Sequence, residues 1–210
     1  MTAYDLDRGI ARENLSRLLA ACYYQPGPEF AEEKVFDSMF VAAYRIDPDL
    51  AAHARRLGEK FAEEDAENLL LDYTRLFLGP NHIIAKPYGS VWLDEQETLM
   101  GESTLAVLAL YKEGGFEMDE TFRELPDHIA AELEFLYLLI YRENEAYQQD
   151  KPDALEAKAA LRKRFLNEHL GRWIGPFTAA VRDGAQCAYY RQLAEITNRF
   201  INMENAKWEQ

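Results

Sequence analysis

Cysteine, basic side chains, β-branched residues and long apolar runs are all in short supply in this 210-residue chain, and each shortage closes a class of answers. Only two cysteines occur, Cys22 and Cys187, far apart and without C-x-x-C spacing. A disulfide framework or a zinc ribbon is therefore excluded, and both read as buried thiols. Five Val, nine Ile and seven Thr give 21 β-branched residues in all, too few for a sheet protein beside the abundant Ala, Leu, Glu and Arg. Lys and Arg number 23 against 37 Asp and Glu, so the formal charge is −14. That charge repels phosphate backbones and anionic lipid, which argues against nucleic acid and acidic membranes and favours a basic partner. The most apolar run, Leu133 to Tyr141, falls well short of the ~20 residues that span a bilayer and reads as a core helix. Residues Met1 to Arg8 carry acids where an export signal would carry bases, so a cytoplasmic location is expected.

With 48% hydrophobic residues the chain is no disordered polymer, and it has no repeat, low-complexity tract or Gly/Ser linker. One domain, 1–210, is expected. Apolar residues recur at helical spacing, as in Leu15, Leu18, Leu19, Cys22 and in Tyr189, Leu193, Ile196, Phe200, Met203. The pattern predicts an all-α bundle of about nine helices, at 6–24, 29–43, 48–62, 65–78, 97–114, 127–149, 152–168, 169–183 and 186–203. Breakers such as Pro26-Gly27-Pro28, Gly79-Pro80 and Gly114-Gly115 fill the gaps, and an irregular loop is expected near 79–96.

Catalytic chemistry finds little to work with. The histidines His53, His82, His128 and His169 are scattered, with no H-E-x-x-H and no Glu-x-x-His. There is no phosphate-binding glycine motif and no nucleophile elbow. The expectation is a protein that is not an enzyme, with no catalytic residue, metal ligand or cofactor.

What the sequence does have is a concentration of glycine, proline and aromatics between Tyr73 and Phe135, where irregular backbone shapes a surface. The same region is acidic: residues 94–127 hold ten Asp and Glu against Lys112 and Arg123, a net −8. A solvated helix face accounts for such a run as well as a recognition surface does, although the neighbouring aromatic turns favour a cationic ligand. Asp127 stands where an aspartate would cap a helix start. His128 gains nothing from the helix dipole in that position, and local physics leaves its role open. Trp173, Phe177, Tyr189, Tyr190, Phe77 and Trp92 read as core, Tyr73 and Tyr88 as near the surface.

Taken together, Tyr73-x-x-Leu76-Phe77-x-Gly79-Pro80, Pro87-Tyr88-Gly89-Ser90-Val91-Trp92-Leu93-Asp94, Leu99-x-Gly101-x-Ser103-Thr104-Leu105 and Pro126-Asp127-His128 resemble the TorD/DmsD family of redox-enzyme maturation chaperones. The Gly89–Asp94 string is most similar to the DmsD branch, which serves dimethyl-sulfoxide-reductase-type enzymes. Glu168-His169-Leu170-x-x-Trp173 and Tyr190-x-x-Leu193-Ala194 extend the likeness over nearly the whole chain. The resemblance implies an all-helical cytoplasmic chaperone that binds the twin-arginine leader of a molybdoenzyme precursor, assists its folding and cofactor insertion, and delays its export. Its partners would be that leader, the apo-form of the catalytic subunit and the twin-arginine translocation machinery. Recognition would fall on Tyr73, Leu76, Pro87, Tyr88, Gly101, Pro126, Asp127 and His128. Asn81, Lys86 and Tyr88 depart from the tryptophan, proline and tryptophan usual in the closest branch, which points to a different client. Two other readings stay open: a nitrate-reductase-type assembly chaperone that binds an apoenzyme terminus without twin arginines, and a general helical adaptor.

Overall fold

Aspartate opens several of the helices. Asp5, Asp47 and Asp65 each turn a carboxylate back onto the free N–H groups of the next turn, so the helices they precede start where local chemistry dictates. A computed structural model describes residues 4–79, 83–94, 100–119 and 122–206. Within them run α1 (Leu6–Ala21), α2 (Glu29–Glu32), α3 (Val35–Ile46), α4 (Pro48–Glu63), α5 (Ala66–Tyr73), α6 (Gly89–Leu93), α7 (Glu102–Gly114), α8 (Ile129–Gln148), α9 (Pro152–Phe165), α10 (Gly171–Gly184) and α11 (Ala188–Ala206). Two short π-helical segments, Thr74–Leu78 and Leu166–Leu170, continue α5 and join α9 to α10. Among the described residues there is no strand, and extended pairing is confined to one isolated antiparallel bridge between Tyr88 and His128. The all-α expectation holds.

Among the described residues nine of these helices span eight residues or more, the number expected, and α2 and α6 add a single turn each. Lys34 adopts φ 53, a left-handed conformation that no helix interior holds, and it divides the expected 29–43 helix into α2 and α3. The expected irregular loop contains the one-turn helix α6. The residues at 80–82, including Asn81, and at 95–99, where the expected 97–114 helix begins, lie outside the described residues. Gly115, at φ 64, ends α7 as a left-handed cap, as the Gly114-Gly115 pair suggested.

α1 packs along α8 and α3, α3 along α4, α4 against α11, α11 against α10, and α8 against α9. Leu15, Leu19, Leu57, Phe135, Phe165, Trp173, Phe177 and Phe200 fill the interior. Cys22 and Cys187 are free and buried, as the sequence indicated. In the middle of this apolar packing sits a charged network. Glu204 of α11 accepts from Arg12 of α1 (Nε–Oε1 2.7 Å) and from Arg162 of α9 (3.1 Å), and Arg162 also donates to Glu143 of α8 (2.6 Å). Two guanidinium and two carboxylate groups balance, and each of the four sits on a different helix. At its edge Asn144 accepts from the Tyr4 hydroxyl (2.7 Å) and donates to Glu13 (2.9 Å).

Removing one member leaves buried charge without its counter-charge, so Arg162→Met should cost about 3–5 kcal/mol in urea unfolding at neutral pH. Replacing Arg162 and Glu143 together, by Met and Leu, should cost less than Arg162→Met alone. Equal or greater loss in the double variant would show that the network is not held by charge balance.

Candidate functional site

The Pro126-Asp127-His128 corner is built by two chain segments that meet edge to edge. The Gly89 N–H donates to the Asp127 carbonyl and the Ile129 N–H to the Pro87 carbonyl, both at 2.8 Å, which fixes Tyr88 beside His128 with ring centroids 5.5 Å apart. Pro126 lends its carbonyl to the Tyr111 hydroxyl of α7 (2.8 Å). Pro87, Tyr88, Pro126, Asp127 and His128, five of the eight expected recognition residues, are thus brought together.

The capping roles are exchanged relative to the sequence reading. His128 is the residue that caps α8, its Nδ1 accepting from the Ala130 N–H at 3.2 Å. Asp127 caps a helix that starts 38 positions earlier: its Oδ2 accepts from the Ser90 N–H in the first turn of α6 at 2.7 Å. Asp127 is fully buried, so its carboxylate organises the surface from beneath. Burial holds the His128 pKa down at about 4, against the opposing pull of Glu124 and Asp127. The imidazole is neutral at neutral pH, the form in which Nδ1 can accept.

Three of the expected residues are placed otherwise. Tyr73 was expected near the surface, yet it is buried, its ring edge-on to Phe77 at 5.4 Å. Burial, with the nearby Glu124 carboxylate, pushes its pKa up to about 12. Leu76 is fully buried in the core at the centre of the first π segment. Its carbonyl accepts from the Ala85 N–H at 2.9 Å and brings the chain back toward Pro87, so its contribution is to shape the loop. Gly101 belongs to another junction, the start of α7, where the Asp94 carboxylate accepts from the Ser103 hydroxyl (3.0 Å) and N–H (3.3 Å).

Other residues join the corner without having been singled out. The Tyr88 hydroxyl donates to Glu124 and the Tyr24 hydroxyl to Glu134, each at 2.7 Å. Burial and the carboxylate raise the pKa of both tyrosines, and Glu124 acts on Tyr24, Tyr73 and Tyr88 alike. Half-buried tyrosines locked onto two glutamates form an acidic, aromatic surface at the end of α1 and the start of α8. In the sequence, the only hint was that Glu124 lies in the acidic run and Tyr24 just before a Pro-Gly-Pro break. Beneath the surface, Glu132 of α8 binds His169 Nε2 at 2.8 Å and the Trp173 indole N–H at 3.0 Å, all three side chains being buried. Among the described residues no group of side chains is arranged to hold a metal ion, and no helix is long and apolar enough to cross a membrane.

Residues 44–179 match the family described as nitrate reductase delta subunit. The chain belongs to this family. Its relatives carry the two names that the sequence suggested: a chaperone protein TorD of Shewanella loihica is 27% identical over 83% of this chain and 78% of its own length. A Tat proofreading chaperone DmsD of Salmonella typhimurium is 26% identical over 92% of this chain and 87% of its own. These identities do not separate the two branches, so the expected assignment to the DmsD side stays a sequence-level reading. The fold is also that of a redox enzyme maturation protein from Archaeoglobus fulgidus, with TM-score 0.55 and 22% identity over 91% of this chain and 93% of the other. The named relatives are chaperones rather than enzymes, in agreement with the scarcity of catalytic motifs.

The buried, neutral His128 makes this TorD/DmsD-family fold sensitive to acid. Its folded pKa lies below the ordinary 6.5, so its contribution is complete above that value and is lost as pH falls from about 6.5 to about 4, where the unfolded chain takes up the proton first. Urea unfolding should lose on the order of 2–3 kcal/mol from this group across that window. His128→Asn, which keeps a capping acceptor without the titration, should remove that part of the pH slope. An unchanged slope would place the acid sensitivity elsewhere.

Proposed function

We propose that this chain is a chaperone for a molybdenum-containing oxidoreductase precursor and that it holds the precursor's twin-arginine leader on the Tyr24–Tyr88–Glu124–Glu134 surface. The observation that carries the reading is the pairing of two tyrosine hydroxyls with two glutamates beside the Tyr88–His128 bridge. A guanidinium is planar, always charged and able to lie against an aromatic face while donating to a carboxylate, so a pair of arginines suits such a surface. The apolar part of a leader would lie against the exposed aliphatic side chains of Leu70, Leu71 and Leu78, next to the π segment that carries Leu76. TorD and DmsD among the relatives, one named a proofreading chaperone for twin-arginine transport, support the same partner class. In this reading Tyr88 faces the leader, the buried His128 holds the Tyr88 ring from behind and Pro87 and Pro126 shape the turn, whereas Asp127, Tyr73, Leu76 and Gly101 act through backbone placement. The site of action is the cytoplasm, before export, with the translocation machinery as the next recipient of the precursor.

The family's description as nitrate reductase delta subunit favours a second reading, capture of an apoenzyme terminus without twin arginines. Titration calorimetry separates them. A leader with both arginines should bind, weakening on replacement of the pair by glutamine and associating more slowly as salt rises, since exposed charges are screened beyond ~10 Å at 0.1 M. Glu124→Gln should lower affinity by roughly 1.5–3 kcal/mol, the range of a charge-assisted hydrogen bond, and leave the melting temperature near wild type. Asp127→Ala, which frees the Ser90 N–H, should lower both. Indifference to the arginine pair and to Glu124 would transfer the assignment to the second reading.

A further inference from the structure

Gly89 is squeezed between groups that no part of the recognition surface uses. A Cβ on this residue would meet Glu132 Oε1 at 3.0 Å, Trp173 Nε1 at 3.1 Å and His169 Nε2 at 3.2 Å, so the three polar ends of a buried trio converge on one glycine Cα. On its other side Gly89 donates its N–H to the Asp127 carbonyl, and the Ser90 N–H is taken by the Asp127 carboxylate. The trio draws on three separate elements, α8, the second π segment and α10. Its hydrogen bonds leave those side chains little freedom.

We infer that Glu132, His169 and Trp173 are positioning residues: they form a rigid seat for Gly89 and thereby set where the adjoining Tyr88 meets the leader. This rests on the leader-binding reading above. Glu132 orients both ring donors, so its carboxylate governs the seat. Loss of the carboxylate charge lets the His169 and Trp173 rings shift, and Gly89 follows because nothing else fills the gap. Tyr88, one residue away and bridged to His128, then loses its register with Glu124.

Proton occupancy supports the same arrangement. Burial opposes a charge on His169, but the Glu132 carboxylate outweighs it and raises the His169 pKa, with Asp127 and Asp94 adding to the pull. Glu113, Arg164 and Glu168 line the groove on the α7–α9 side of the same imidazole. The pair keeps its proton below that raised pKa and gives it up as pH climbs past it, leaving the Glu132 carboxylate beside a neutral ring and the buried Asp127.

The test uses the full chain and an N-acetylated synthetic twin-arginine leader, which has no group of its own titrating between pH 6 and 9. Wild-type affinity should be flat from pH 6 and fall as pH rises, and Glu132→Gln should bind about tenfold more weakly throughout and lose that pH dependence. Trp173→Phe, which removes the indole N–H together with the five-membered ring that carries it, should weaken binding in the same direction. Amide exchange at Gly89 and Ser90 should quicken in both variants while α1 amides keep wild-type protection. If Glu132→Gln does not fold, Trp173→Phe and the wild-type pH profile decide. Wild-type affinity and wild-type Gly89 exchange in a folded variant would overturn the seat. Failure of the wild-type chain to bind the leader would refute the leader reading alone, because faster exchange at Gly89 and Ser90 would still establish the seat and unchanged exchange would refute that as well.

Discussion

Four buried charges, Arg12, Glu143, Arg162 and Glu204, hold α1, α8, α9 and α11 to one another, and the rest of the molecule is arranged on that frame. Buried ions tolerate little displacement, because a shift that lengthens one pair strands both charges in a medium that solvates neither. Apolar packing between the same helices would allow sliding; the ionic network fixes their register. The surface proposed to hold the leader inherits this precision. Tyr24 follows the end of α1, His128 begins α8, Glu132 and Glu134 lie in the first turns of α8, and His169 follows α9. The Tyr24–Glu134 side of the surface, and Glu132 in its floor, therefore hang from helices that the network has locked.

Helix capping shows how far local sequence rules reach. Asp5, Asp47 and Asp65 cap the helices that follow them, and a reader of the sequence places those starts correctly. Elsewhere the caps are borrowed from a distance: Asp127 serves α6, Asp94 serves α7, and Asp72 and Glu64 together take the N–H groups of Gln186, Cys187 and Ala188 at the start of α11. Asp127 was legible as a cap, but for the wrong helix, since no local rule says that a carboxylate beside one helix start will reach another. Asp72 and Asp127 do this from inside the fold, where both are buried.

The same distinction separates what was readable in the site from what was not. The Pro87-Tyr88 and Pro126-Asp127-His128 turns were legible because proline and glycine mark irregular backbone wherever they stand. Tyr73 was misplaced outward because a residue next to a break reads as exposed, whereas it is the last residue of α5 and is buried, as is Leu76 in the π segment that follows. Tyr24, Glu124 and Glu134 come together over about a hundred residues of separation, and Glu132, His169 and Trp173 over about forty, distances at which sequence pattern carries no contact information. The resemblance to TorD and DmsD chaperones supplied the family, which the comparisons with known proteins bear out. It did not supply these contacts.

The tyrosine–glutamate bonds have a consequence for the cost of association. A free surface glutamate gives up rotamer entropy when a cation arrests it, and that loss erodes the gain of the new contact. Glu124 and Glu134 are already arrested by Tyr88 and Tyr24, each through a single hydroxyl. An ionised carboxylate has about four acceptor positions, so most of each remains open to a partner. The surface is preorganised: its carboxylates have surrendered their freedom during folding, and the cation proposed to dock there would meet acceptors that do not have to be ordered a second time.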